Sequence, residues 1–285
     1  MRTPFVGLAL ALALPALAGA QDPERAERRD RDRERDRDRM ERSANPDFTW
    51  EGRMDKGRLV VVRNLNGSIR VTRAEGDRAS IVAVKRWRNG DPSEVRIEQV
   101  KAMDKGDIIV CAFWTERATC DERGYSTRGD NGWRRAGRDV AVEFTIKLPA
   151  GVRVAVSSVN GEVSVEDATD EVEATSVNGS VWAASNGGPV EARTVNGDVR
   201  ARMGQKGGRD LRFSSVNGTV IVQVPEDANA DLQMSTVNGA VASDFPVTIS
   251  GRLNPRKLNA TLGKGGPVLE LKTVNGDVRL RKTGG

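Results

Sequence analysis

Val172-Glu173-Ala174-Thr175-Ser176-Val177-Asn178-Gly179-Ser180-Val181-Trp182-Ala183 sets the pattern for most of the chain. Apolar or small residues alternate with polar ones on both sides of a four-residue unit, Ser-Val-Asn-Gly. Period-two alternation marks a strand with one buried face. Asn-Gly between two such runs marks a sharp change of direction. The unit recurs at Ser158-Val159-Asn160-Gly161, Thr194-Val195-Asn196-Gly197, Ser215-Val216-Asn217-Gly218, Thr236-Val237-Asn238-Gly239 and Thr273-Val274-Asn275-Gly276, with an outlying copy at Asn64-Leu65-Asn66-Gly67. From Asn160 onward, successive Asn positions lie 18, 18, 21, 21 and 37 residues apart. The last interval has the length of two repeats and predicts a rung that lost its motif or took an insertion.

The flanks repeat with the unit. Val154 and Val156, Val172 and Ala174, Val190 and Ala192, Leu211 and Phe213 precede it, and Val163 and Val165, Val181 and Ala183, Val199 and Ala201, Val220 and Val222 follow it. Each repeat is therefore two short strands joined through Asn-Gly. Two folds satisfy this pattern: an antiparallel β-meander of Asn-Gly hairpins, and a single-domain, parallel β-helix-like solenoid. The Val before each Asn favours the solenoid. In a hairpin it lies on the polar face, whereas a change of phase at a solenoid corner lets Ser/Thr and Val both point inward. Such a corner is also expected to hold Asn or Gly at positive φ. The reading is an all-β solenoid in which Asn160, Asn178, Asn196, Asn217, Asn238 and Asn275, with Gly161, Gly179, Gly197, Gly218, Gly239 and Gly276, form a structural ladder of turns between rungs.

The repeated Ser/Thr-Val-Asn-Gly-x-Val signature, and the ending Gly266-Pro267-Val268-Leu269-Glu270-Leu271-Lys272-Thr273-Val274-Asn275-Gly276-Asp277-Val278-Arg279-Leu280, resemble the bacterial β-strand-repeat proteins of unknown function labelled "putative adhesin". The resemblance runs from about Phe48 to the C-terminus. It implies an envelope-associated β-solenoid with no assigned catalytic residues, and it carries fold better than function.

The N-terminal segment reads as an export signal. Arg2 precedes an apolar run from Phe5 to Leu17, and Ala18-Gly19-Ala20 reads as a cleavage site, which predicts a signal peptide over residues 1–20. No stretch is long and apolar enough to span a bilayer as a helix. The expected location is periplasmic, extracellular or at the cell surface. Residues 21–47, nearly all Arg, Asp and Glu from Asp22 to Arg42, read as a charged, disordered linker or a surface-adhering tail, and residues 48–285 as the β-repeat domain. Aromatic residues make up only 4% of the chain, which suits a narrow core of small side chains.

The two cysteines, Cys111 and Cys120, predict one disulfide in an oxidising compartment, ahead of a metal or redox pair. The chain has no histidine, which removes the usual Ser or Cys triads, His-based zinc sites and His general bases. The formal net charge of +5 is compatible with anionic envelope polymers, and no nucleic-acid-binding motif is present. Asp198 and Asp277 do not form a calcium repeat, and no cofactor is expected. Glu162, Glu166, Asp167, Asp170, Glu171 and Glu173 cluster in sequence as a carbohydrate-active enzyme's carboxylates would, but they alternate as a solvated face does.

The segment 111–138 breaks the repeat and gathers Trp114, Arg117, Arg123, Tyr125, Arg128, Trp133, Arg134, Arg135 and Arg138. Aromatic faces stack on sugars and Arg pairs with carboxylate or phosphate, so this loop is the candidate ligand-binding element. The competing reading is a cap on the solenoid end. Function is expected to be non-catalytic binding of an anionic glycan or surface polymer. The alternatives are a structural or assembly protein contacting envelope protein partners and a cryptic polysaccharide-active enzyme.

Overall fold

The computed structural model describes residues 41–127, 139–204, 207–246, 248–249 and 254–283. The described fold is all-β apart from one 3-10 turn at Pro92–Glu94. Two eleven-stranded sheets face each other across a shared core. The strand before each Asn-Gly unit belongs to one sheet (sheet B) and the strand after it to the other (sheet A). Strands flanking a unit do not pair with each other; they pair in parallel with their counterparts in the neighbouring repeats. This is a solenoid and not a meander.

In spatial order the described strands form eight rungs. Rung 1 joins Ile108–Phe113 to Ala141–Leu148, rung 2 Leu59–Arg63 to Ile69–Arg73, and rung 3 Arg153–Asn160 to Val163–Ala168. Rung 4 is Val172–Asn178 with Val181–Ser185, rung 5 Val190–Arg193 with Val199–Met203, and rung 6 Leu211–Ser214 with Val220–Val224. Rung 7 is Val268–Lys272 with Val278–Lys282, and rung 8 Ala230–Ser235 with Val241–Ser243. The long interval between Asn238 and Asn275 is thus not a lost rung. The chain completes rung 8, adds the antiparallel strand Lys257–Leu262 against it, then returns to slide its last rung between rungs 6 and 8. The other end does the same, with rung 2 held between rungs 1 and 3 although it comes first in the chain.

Each letter of the Ser/Thr-Val-Asn-Gly unit has a separate cause. The Ser/Thr hydroxyl is buried and donates to the corner-glycine carbonyl of the adjacent rung, as Ser176 does to Gly161 O at 2.8 Å, Thr194 to Gly179 O at 2.7 Å and Thr273 to Gly218 O at 2.8 Å. The Asn amides form a continuous ladder: Nδ2 of Asn178 donates to Oδ1 of Asn160 at 2.8 Å, Asn196 to Asn178 at 2.7 Å, Asn217 to Asn196 at 2.7 Å, Asn275 to Asn217 at 2.8 Å and Asn238 to Asn275 at 2.8 Å. The glycine is needed for space. A Cβ on Gly179 would lie 2.2 Å from Gly161 O, and one on Gly218 1.9 Å from Gly197 O.

Positive φ at the corner falls to glycine, at Gly67, Gly197, Gly218 and Gly276, and to no Asn of the ladder. One expectation about the corner is corrected: Val does not turn inward. In rungs 3 and 4 the strand runs on through Asn160 and Asn178 without a phase change, so Ser158 and Ser176 keep the inward position and Val takes the outward one. Val177, Val195, Val216 and Val274 are 38–39% exposed and Val237 is 55% exposed.

The core is filled by the alternating residues, mostly Val and Ala, with Phe144 and Phe213 the largest fully buried side chains. Each buried Val contributes about 1.5–3 kcal/mol, so many thin rungs replace one thick core. Antiparallel strands close both ends: Arg78–Trp87 and Arg96–Val100 beside rung 1, and Lys257–Leu262 beside rung 8. Pairing upstream of Phe48 begins with Glu41–Arg42 on Arg78–Trp87.

Candidate functional site

The 111–138 segment replaces a corner. Ala141-Val142 stands where rung 2 has Asn66-Gly67: Val142 N donates to Asn66 O at 2.7 Å, and the Asn66 amide donates to Val140 O at 2.9 Å. Asn66 thus bonds backbone across this corner, and an insertion takes the place of a two-residue turn on the outermost rung.

The base of the loop folds back over the outer face of sheet B. Val61, Ile109 and Ala155 point away from the main core, yet they are buried with Cys111 and Phe113 in a second cluster, against which Ala118, Cys120 and Tyr125 pack. The Cys111–Cys120 disulfide closes this fold-back. Thr119–Cys120 pairs with Tyr125–Ser126, and the turn between them is held by Asp121, whose Oδ1 accepts from the N–H groups of Arg123 at 2.8 Å and Gly124 at 3.0 Å. The Phe113 and Tyr125 rings lie 5.9 Å apart, and the Arg96 guanidinium sits 5.6 Å from the Phe113 centroid.

The described candidate residues divide by role. Trp114 is only 5% exposed, belongs to the main core, and donates from Nε1 to Val140 O at 3.3 Å, which ties the two ends of the loop together. Tyr125 is half-buried, and burial pushes its hydroxyl above the ordinary tyrosine value, opposed by the Trp114 backbone and Arg96. Arg117 and Arg123 are exposed. Arg128, Trp133, Arg134, Arg135 and Arg138 lie outside the described residues.

Sequence reading missed Arg63, an ordinary strand residue by pattern. It is 8% exposed beneath the loop, donating from Nη2 to Glu122 O at 2.6 Å and from Nη1 to Ser157 Oγ at 3.2 Å. Burial lowers its pKa, offset in part by Glu173 and Asp121. With the Glu122 carboxylate accepting from Met103 N at 2.8 Å, Arg63 fastens the loop to the sheet. Trp182 was also missed, although alternation with Val181 and Ala183 puts it on the outer face of sheet A, half-buried between Ser164 and Arg200 in register.

The acidic cluster does not converge. Glu166 lies on the outer side of sheet A, 3.4 Å from Arg70, and Asp167 pairs with Arg202 at 3.4 Å. Glu171 lies on sheet B with Arg209 at 2.5 Å. Asp91, Glu226 and Asp277, which lie outside this cluster, are held below the ordinary carboxylate range, each chiefly by a hydrogen-bond donor. Among the described residues no group of three or more His, Cys, Asp or Glu side chains is placed to hold a metal ion, and no helix is long and apolar enough to cross a membrane.

Fold and corner chemistry define the class, a two-sheet β-solenoid built on a Ser/Thr-Val-Asn-Gly repeat. The chain belongs to the Toastrack family (DUF4097), whose profile matches residues 58–281. Among solved structures it is similar to a "putative cell adhesion protein" from Clostridium sporogenes ATCC 15579, at 10% identity over 84% of this chain and 100% of that one, with a TM-score of 0.44. It is also similar to a "putative adhesin" from Bacteroides fragilis NCTC 9343, at 11% identity over 85% and 98%, with a TM-score of 0.35. No curated protein matches the chain.

Proposed function

We propose that this protein is an exported, non-catalytic envelope or surface protein that binds an anionic glycan or surface polymer through the 111–138 loop. Residues 1–20 serve as the export signal, 21–47 as a charged spacer whose last residues, from Glu41, pair onto the scaffold, and 48–285 as the rigid scaffold. The observation that carries the reading is the construction of the loop: an insertion at the corner of the outermost rung, closed by a disulfide and clamped by Trp114 and Arg63. A rigid scaffold with a braced loop is a common way to present binding residues. Trp114 and Tyr125 belong to the brace, so ligand contact falls to Arg117 and Arg123 at the base and to Arg128, Trp133, Arg134 and Arg135. The separation of the acidic cluster onto two sheets supports the non-catalytic part of the reading.

The test is titration of the exported chain with a panel of acidic and neutral envelope polysaccharides, followed by tryptophan fluorescence and calorimetry at low and high salt. Binding to acidic polymers that weakens with salt, and that is lost when residues 128–138 are replaced by a Gly-Ser linker in a variant with unchanged circular dichroism, supports it. Binding unaffected by that replacement moves the site elsewhere, and absence of binding to every polymer rejects the reading.

A further inference from the structure

Six large apolar residues stand exposed among the described residues, and five of them form one column: Val177, Val195, Val216, Val274 and Val237, on rungs 4 to 8. At about 4.8 Å per rung the column is about 19 Å long, and it runs beside the exposed Asn ladder. Nothing in the solenoid requires an apolar side chain at these outward positions, because Ser/Thr, Asn and Gly already build the corner.

The ridge has unlike flanks. Three residues before the Asn, on sheet B, stand Arg193 in rung 5 and Lys272 in rung 7; two residues after it, on sheet A, stand Asp198 and Asp277 in the same rungs. All four are at least partly exposed, and their ion-pair partners Glu191, Glu270, Arg200 and Arg279 are surface neighbours two residues away; the other carboxylate oxygens of Asp198 and Asp277 accept from Thr219 N and Ala240 N of the next rung. Exposed pairs of this kind hold weakly and exchange readily.

We propose that this ridge is a self-association surface whose partner is a second copy of the chain. Two ridges can face each other about a two-fold axis either along the stacking direction or across it. An axis along it brings each rung opposite its own counterpart, with Arg193 facing the partner's Asp198 and Lys272 facing the partner's Asp277. An axis across it sets basic flank against basic flank. Charge therefore selects the parallel arrangement, with valines meeting at the centre between two charged rims. The strip covers roughly 300 Å² per copy, well below the about 800 Å² of a stable complex. The contact is weak and forms where copies are concentrated, as on a surface. It is independent of the loop and of any glycan.

Sedimentation velocity of the exported chain from micromolar to millimolar concentration tests this. The expected result is a monomer at the low end and a dimer at the high end. Association should be lost in Val177→Thr/Val195→Thr/Val216→Thr/Val274→Thr, whose exposed positions leave folding intact by circular dichroism. Arg193→Glu should weaken it, and Arg193→Glu with Asp198→Arg should restore it, because an isologous contact tolerates the exchange; Asp198→Arg alone, which gives up the bond from Thr219 N, is the control and must keep the parent circular dichroism. With a short bismaleimide, Val177→Cys should crosslink to itself, and a mixture of Val177→Cys and Val237→Cys should give no mixed product. A monomer at all concentrations, a dimer indifferent to the valine changes, or crosslinks only between Val177→Cys and Val237→Cys would overturn the proposal.

Discussion

Asn275 donates its side-chain amide to Asn217 at 2.8 Å across 58 residues of sequence, while Asn238, which lies between them in the chain, donates to Asn275 from the far side. The last rung is thus an inner rung. The same holds at the other end, where Leu59–Arg63 is flanked by Ile108–Phe113 and Arg153–Asn160. A solenoid built in simple chain order would leave its first and last rungs as fraying edges. Here each terminal rung is clamped by a later or earlier one, which is itself closed by antiparallel strands, on both sheets at rung 1 and on sheet B at rung 8.

Amide hydrogen exchange should show the clamp directly. Residues 268–282, close to the C-terminus, are expected to exchange as slowly as the central rungs over 190–224, and the edge strand Val241–Ser243 faster than either. Leu271, fully buried, should cost about 2–5 kcal/mol when changed to Ala. Rapid exchange over 268–282 would show that the final rung frays as an ordinary end does.

Gly179 makes a sharp prediction because its φ is not positive and space alone is its constraint. Gly179→Ala places a Cβ 2.2 Å from a backbone oxygen of the adjacent rung, which cannot move without displacing that rung. The expected loss is about 3 kcal/mol in urea unfolding. Gly208→Ala meets nothing within 4 Å and should stay within about 0.5 kcal/mol of the parent.

Asp277 links rung 7 to rung 8 by accepting from Ala240 N at 3.0 Å, and that bond, with Arg279, holds its carboxyl below the ordinary aspartate value of 3.8. A depressed folded-state pKa contributes stability that is present above the unfolded value and is lost as pH falls through the folded one. Unfolding followed from pH 6 to pH 2 should therefore show a loss below about pH 4 that is smaller in Asp277→Asn, whose side-chain oxygen still accepts from Ala240. Identical pH profiles for the two proteins would remove Asp277 from the linkage.

Much of this architecture is legible in the sequence because the repeat is local chemistry. Val172, Ala174, Val181 and Ala183 announce the inward faces, and Asn-Gly announces the corner. Rung order is not local. The interval between Asn238 and Asn275 reads equally as a missing rung or as a detour, because parallel neighbours share the same alternation and any rung can stack on any other. The outward Val was misread for a related reason: its apolar character suits a core, and only the continuous strand through Asn178 shows that no phase change occurs. In the loop, Trp114 and Tyr125 look like ligand platforms by composition. Trp114 instead enters the main core, and Tyr125 packs on Val61, Ile109 and Ala155, outer-face residues whose apolar character marked a second small core. Arg63 gave no signal at all, since an Arg on a strand is ordinarily solvated.

That second core sets the consequence of removing the disulfide. Closing the short loop between Cys111 and Cys120 is worth about 2–3 kcal/mol by chain entropy. Rung 1 is also held by parallel pairing and by the main core, so its loss should not unfold the solenoid. Cys111→Ala/Cys120→Ala is expected to release residues 115–127 from sheet B and uncover Phe113, Val61 and Ile109. Faster exchange confined to that segment and to Arg96–Val100, with new binding of a hydrophobic dye and unchanged protection over 172–224, is the predicted pattern. Global unfolding of the double variant would instead make the disulfide a keystone of the whole fold, and the loop could no longer be treated as a module set upon a scaffold that stands without it.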